Sequence, residues 1–143
     1  MQKVVGFNLV ELMIVVAMIA IVVMVAIPNY QSYRRYMKAA QVQQEIQRIA
    51  LLLEQHKARH FTYKGFNYSA AEIESYVFEV NDGTDPTISL NDERANGRFW
   101  TIRAITRHSY NESFLMNSTG LRCKNQVAEN MQQHDCGIGS EPW

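Results

Sequence analysis

The stretch that decides the fold reads FNLVELMIVVAMIAIVVMVAI, from Phe7 to Ile27, and Glu11 is its only charged residue. From Leu12 onward it is an unbroken apolar run. An α-helix rises about 1.5 Å per residue, so a helix of this length spans roughly 31 Å, the thickness of the hydrocarbon core of a bilayer. The stretch therefore predicts a membrane-spanning helix.

Two other interpretations of the same stretch stay open. A buried helix of a soluble protein can be equally long, but such a helix is seldom apolar on every face. A cleaved secretory signal peptide is the closer rival. Against it, Lys3 is the only basic residue ahead of the run, and no small-x-small cleavage site precedes Pro28. The membrane helix is the favoured interpretation.

The single acidic residue in this stretch needs an explanation, because an ionised carboxylate inside a membrane helix costs about 2.5–3.5 kcal/mol on insertion scales. Glu11 lies near one end of the helix, from which its carboxylate could reach the lipid headgroups. Alternatively, cleavage after Gly6 would give Phe7 a free α-amino group four residues before Glu11. The amine and the carboxylate of neighbouring copies would then pair and fix the register of packed helices.

Helical periodicity continues beyond the apolar stretch. Apolar residues recur at spacings of three and four and form one stripe of an amphipathic helix: Ala39, Val42, Ile46, Ile49 and Leu53. One long helix is therefore predicted from about Phe7 to about His60, with a bend at Pro28, which lacks an amide hydrogen. The stripe favours packing on the protein's own sheet, and a coiled-coil dimer is the alternative.

The next segment is an aromatic-rich connection, FTYKGFNY, at residues 61–68. Its aromatic residues around Lys64 could stack on single-stranded nucleic acid, but packing on the folded head is the favoured interpretation. Ser69 and Glu72 have the spacing of a capping box, which predicts a short helix that runs toward Tyr76.

Three later segments predict strands because they are rich in aromatic and β-branched residues. These segments are residues 76–80, 99–106 and 113–117. Turn signals at 81–83 and 96–97 favour an antiparallel sheet. The expected fold class is α+β, in which the long N-terminal helix packs on an antiparallel β-sheet.

Cys123 and Cys136 are the only cysteines. Because they follow an export-like segment, they predict one disulfide, which would close a C-terminal loop and stabilise the fold by about 3 kcal/mol. A metal site made of Cys123, His134 and Cys136 would lack a fourth ligand and any familiar spacing. Two free thiols are the remaining alternative.

Length and charge exclude several classes of function. The 143 residues allow one modest domain and exclude a large multidomain enzyme. The 14 basic and 14 acidic residues give a formal net charge of +0, so the strongly basic surface of a dedicated nucleic-acid binder is absent. The sequence contains no nucleophile elbow, phosphate-binding glycine loop or zinc-protease helix, and His56 with His60 indicates a solvated helix end. We expect no enzyme activity, no metal and no cofactor.

The N-terminal third resembles the type IV pilin family. A short leader with one lysine precedes GFNLVEL, residues 6–12, and the apolar helix that follows leads to Pro28 and Tyr30. Asn8 departs from the threonine that the family most often has at this position. The resemblance implies cleavage by prepilin peptidase after Gly6.

The resemblance also assigns roles to the residues after the cut. Phe7 would carry the N-methyl group, and Glu11 would be the assembly residue. It implies three parts: a leader at 1–6, a transmembrane and assembly helix at 7–28, and a head at 29–143. The C-terminal disulfide loop of that head is implied to be a contact surface.

By this resemblance the protein would be a structural subunit of a type IV pilus, a minor pilin of the type IVa kind. It would wait in the bacterial inner membrane with its head in the periplasm. It would then join a helical extracellular filament for adhesion, twitching motility or DNA uptake. The implied partners are other pilin subunits, the prepilin peptidase, the inner-membrane assembly platform and, before assembly, the lipid bilayer. DNA is a further candidate partner, which the balanced charge does not indicate.

Several alternatives remain. A major pilin or a type II secretion pseudopilin would fit the same motif, although the disulfide favours a pilin. A single-pass membrane-anchored binding or sensor domain would keep its first six residues. Basic residues also follow the span, at Arg34, Arg35 and Lys38, so the positive-inside rule alone would place the head in the cytoplasm. The pilin hypothesis requires the head on the opposite side.

Overall fold

A computed structural model of the chain describes residues 6–69, 71–132 and 134–143. The chain divides into two compact units, Met1–Met37 and Lys38–Trp143. Of the expected leader, only Gly6 belongs to the described residues.

The first helix, α1, extends over Leu9–His60 and confirms the long helix that the periodicity predicts. The helix continues through Pro28, and the bend that we expect at that residue stays a prediction. Three basic residues occupy the last turn of α1, Lys57, Arg59 and His60, where they complement the negative end of the helix dipole.

Five antiparallel strands form one sheet in the order β1-β2-β3-β4-β5. The strands are β1 at Tyr76–Asp82, β2 at Trp100–Thr106, β3 at Ser113–Asn117, β4 at Arg122–Asn125 and β5 at Glu141–Pro142. The first three confirm the predicted strands, and the last two carry no strand signal in the sequence. Between β4 and β5 the chain makes a single 3-10 turn, Ala128–Asn130.

The main core of the second unit lies between α1 and one face of the sheet. Four of the five predicted stripe residues of α1 have no exposed surface: Val42, Ile46, Ile49 and Leu53. They pack in one cluster with sheet residues that include Ile102, Ala104 and Phe114. Each such aliphatic side chain contributes about 1.5–3 kcal/mol by leaving water. The α+β fold is therefore as expected, and the stripe serves the protein's own sheet.

The opposite face of the sheet is covered by the C-terminal loop. Leu115 on β3 and Cys123 on β4 pack there against Met131 and Cys136. The second unit thus has three layers, namely the helix, the sheet and the loop.

The short helix predicted from the capping box is absent among the described residues of the segment, and this prediction is wrong. The amide of Ile73 instead donates to the carbonyl of Ala71, only two residues earlier, at 2.9 Å, which is a turn and not a helical hydrogen bond. Glu45 accepts the amide hydrogen of Ala71 at 3.1 Å, and Arg48 donates to the carbonyl of Ser69 at 3.5 Å. These two bonds attach the segment to α1, and tertiary contacts of this kind override a local helix signal.

Candidate functional site

The N-terminal part of α1 has an apolar surface on every side. It contains a stretch that is long and apolar enough to cross a membrane, and none of that stretch is buried. Met24, for example, keeps 79% of its surface exposed. Exposed apolar area of this extent marks a segment that contacts lipid or another protein. This part of α1 is therefore a candidate membrane anchor.

The residues of the predicted processing site lie at the start of α1. Gly6 and Phe7 precede the helix and are exposed. The side-chain oxygen of Asn8 accepts the amide hydrogen of Val10 at 3.4 Å, as an N-cap residue does. Threonine is also an N-cap residue, so Asn8 supplies the same helix start as the residue that the pilin motif has there.

Glu11 lies in the first turn of α1 and is exposed. A carboxylate in this turn is favoured by the positive end of the helix dipole. The motif thus places Phe7 immediately before the helix and Glu11 within its first turn. A contact between the two in neighbouring copies stays a prediction.

Aromatic residues mark the end of the apolar stretch. Tyr30, Tyr33 and Tyr36 are all exposed, and Arg35 donates to the hydroxyl of Ser32 at 3.2 Å. Tyrosines beside an apolar span are typical of the interface between the hydrocarbon core and water. Their position is that of an interfacial belt for a helix that enters a bilayer.

The two cysteines are joined to each other. Cys123 and Cys136 form a disulfide with a Cα–Cα distance of 6.0 Å, which confirms the predicted bond. The alternatives of two free thiols and of a cysteine-containing metal site are therefore wrong, because the sulfurs are not available as thiolates.

A buried amide, which the sequence did not single out, organises the disulfide loop. Asn125 donates to the carbonyl oxygens of Cys136 at 2.6 Å and Ile138 at 3.0 Å. Between these two residues, Gly137 has a φ of 67°, and a Cβ there would lie 2.0 Å from the carbonyl oxygen of Asn130. The loop is thus fixed by one covalent bond and by a position that only glycine fits.

Glu45 is the second residue that sequence analysis missed, because a lone glutamate between apolar stripe positions resembles a solvated one. It is 7% exposed and accepts hydrogen bonds from Arg48, from Tyr68 at 2.9 Å and from the amide of Ala71. The Arg48 guanidinium, aided by the Ala71 amide and the Tyr68 hydroxyl, lowers the pKa of Glu45 from 4.5 to about 2 against the opposing effect of burial. This cluster ties α1 to the connection before β1.

His56 and His60 lie at the end of α1, as expected. Their rings stack with centroids 4.2 Å apart, and a ring nitrogen of His56 lies 3.1 Å from the carbonyl oxygen of Lys64. Within residues 6–69, 71–132 and 134–143, no group of three or more His, Cys, Asp or Glu side chains could hold a metal ion.

Comparison of the chain with protein-family models, with curated proteins and with solved structures gives no match.

Proposed function

We propose that this protein is a structural subunit of a type IV pilus-like filament, of the minor-pilin kind. In this proposal it is inserted in the bacterial inner membrane as a precursor, cleaved after Gly6, and assembled through the N-terminal part of α1. The head then lies in the periplasm before assembly and outside the cell afterwards.

One observation carries the proposal: the N-terminal part of α1 is apolar on every face and exposed, and it has a carboxylate in its first turn. A helix anchored in lipid for its whole life needs no such group. Glu11 therefore favours a segment that later exchanges lipid for a partner of opposite charge. The α-amino group that cleavage would create on Phe7 is such a partner.

The physical logic is that one apolar rod serves in two environments. Lipid tails are as apolar as leucine, so hydrophobicity alone does not move a helix from the bilayer into a bundle of helices. Packing and specific polar pairs must supply the difference. An amine and a carboxylate from neighbouring copies supply a pair that is costly to leave unmade.

Replacement of the first-turn carboxylate tests this proposal. Glu11→Val should leave membrane insertion unchanged and reduce the amount of filament at least tenfold, as measured in a sheared surface fraction. Glu72→Val is the matched control, because it removes a carboxylate from an exposed position of the head and should leave filament levels unchanged. Wild-type filament levels in Glu11→Val would contradict the proposal.

A membrane-anchored binding or sensor domain is the competing function. The candidate anchor and the folded second unit support it equally well, but it gives Glu11 no task. It predicts a mature chain that retains Met1 and a Glu11→Val variant with normal behaviour. The type of filament, whether pilus or secretion apparatus, would follow from the other subunits found in the purified polymer.

A further inference from the structure

The residue after the last turn of α1 combines two unfavourable properties. Phe61 has a φ of 60°, in the left-handed region. Helices commonly end with a residue in that conformation, but the residue is usually glycine or asparagine, because a bulky side chain is strained there. The ring gains no burial in return, since 90% of the residue is exposed. Backbone strain that burial within the chain does not offset is an outlier from which a functional contact can be inferred.

Several basic residues lie near Phe61 in the chain or across a backbone hydrogen bond. Lys57, Arg59 and Lys64 are exposed near the end of α1. Arg98 is exposed as well, and it follows a glycine whose carbonyl accepts the amide hydrogen of Tyr63. We call Phe61 with these four residues the Phe61 patch. Two acidic residues lie nearby: Glu54, which binds the hydroxyl of Tyr63 at 2.8 Å, and Glu93, whose carbonyl accepts a hydrogen bond from Lys64 at 2.5 Å. The four basic residues still leave an excess of positive charge.

A cavity of about 720 Å³ in the disulfide loop has the opposite charge. Glu129 and Asp135 line it and are exposed, and among its described lining residues there is no basic side chain. Ile138 also lines this loop cavity and is 89% exposed. The hydrogen bonds of Asn125 and the disulfide hold the backbone at Cys136 and at Ile138. The loop cavity is thus a preformed acidic surface with an apolar side chain beside it.

The Phe61 patch and the loop cavity belong to opposite layers of the second unit. α1 packs on the face of the sheet that carries Ile102 and Ala104. The disulfide loop packs on the other face, against Leu115. A contact between the two surfaces must therefore join different copies in a head-to-tail manner. Such heterologous contacts build rings or open helical polymers.

We propose that the Phe61 patch of one copy binds the loop cavity of the next copy in the polymer. The Phe61 ring packs against Ile138, and the basic residues of the patch face Glu129 and Asp135. The occupant is a second copy of this chain because the two surfaces complement each other in charge and in apolar content. This inference rests on the proposed function, since only a polymer gives each copy both neighbours.

Photo-crosslinking of the full chain tests the contact directly. A benzophenone amino acid at position 61 should give, in sedimented polymer, an adduct between copies that maps to residues 129–140 by mass spectrometry. Adducts elsewhere, or none between copies, would overturn this contact and leave the proposed function standing. If the unmodified chain forms no sedimentable polymer, the proposed function fails, and the contact falls with it.

A stability measurement separates docking from a structural role of Phe61. Phe61→Gly relieves the left-handed strain, so the melting temperature of the full chain should rise by about 2–4 °C. The same variant should lower the yield of polymer by about tenfold. Tyr110→Ser is the control, because it removes another exposed aromatic ring and should change neither quantity. A lower melting temperature with normal polymer yield would overturn the inference.

A charge exchange checks the partner surface. Arg59→Glu should reduce the polymer yield, and the second change Glu129→Arg should restore most of it, because the pair of opposite charges is re-formed in the reverse sense. Absence of any rescue, together with adducts that do not map to the loop cavity, would remove the loop cavity as the partner of the Phe61 patch.

Discussion

The two parts of α1 share one helix and differ in how their apolar residues are arranged. Up to Met37 the apolar side chains point in every direction and are exposed. Beyond that residue one apolar stripe faces the core, and Val42, Ile46 and Leu53 of that stripe are fully buried. The arrangement of apolar residues around a helix thus indicates whether the helix is surrounded by apolar groups on all sides or packs on a core through one face.

The two units of the chain differ in what stabilises them. The second unit has its own core, its disulfide and the Glu45 cluster. In the described part of the first unit, residues 6–37, the apolar side chains are exposed and depend on lipid or on other copies for contacts. We therefore expect substitutions in the second unit to change folding, and substitutions in the first unit to change insertion or assembly.

The largest effect expected from this contrast follows from opening the core. Phe114→Ala should lower the free energy of unfolding by about 3–5 kcal/mol, because the fully buried ring packs edge-to-face on Trp143 with centroids 6.0 Å apart. Met24→Ala, the matched truncation in the first unit, should change it by less than about 0.5 kcal/mol. Urea denaturation of the full chain in detergent micelles measures both. Equal losses in the two variants would contradict the division.

Removal of the disulfide should have the next largest effect. The double variant Cys123→Ala with Cys136→Ala should lose about 3 kcal/mol, since the bond closes a loop with a sequence separation of 13. The same denaturation experiment measures this loss, and reduction of the wild type with dithiothreitol should reproduce it. An unchanged unfolding midpoint would mean that Asn125 and Gly137 hold the loop without the bond.

Loss of the Glu45 carboxylate should have the smallest effect, with a distinctive pH dependence. Because its pKa in the folded state is lowered to about 2, the stabilisation by Glu45 is complete above its ordinary pKa of 4.5 and is lost as the pH falls toward 2. Glu45→Gln should cost about 2 kcal/mol at pH 7 and should flatten the decline in stability between pH 4.5 and 2. If the stability of the variant declined between pH 4.5 and 2 as steeply as that of the wild type, this role of Glu45 would be contradicted.

Much of the fold could be predicted because its local sequence patterns agree with the structure that the whole chain adopts. The stripe of α1 and the aromatic and β-branched composition of β1, β2 and β3 are local signals, and they gave the helix and these strands. The strand β4 has the sequence RCKN and β5 is only Glu-Pro. Neither segment has a strand pattern in its sequence. Both are strands because they pair with neighbouring strands of the sheet. The capping box failed because it is only a local signal, and the contacts of Glu45 and Arg48 hold this segment against α1 without a helical turn.

Some features of the candidate site could likewise be predicted from the sequence, and others could not. The candidate anchor, the predicted processing motif and the cysteine pair are local features and were visible in the sequence. The buried Asn125, the loop cavity and the exposed ring of Phe61 depend on how distant segments meet. Only the position of Gly137, between a cysteine and an isoleucine in a polar loop, offered a signal for the fixed backbone there.

The central claim is that the first unit leaves the membrane as a processed helix and packs with other copies. Intact-mass measurement and N-terminal sequencing of the chain from purified polymer test this claim most directly. The account predicts a chain that lacks residues 1–6 and begins with an N-methylated Phe7. Polymer whose chains still begin at Met1 would contradict it.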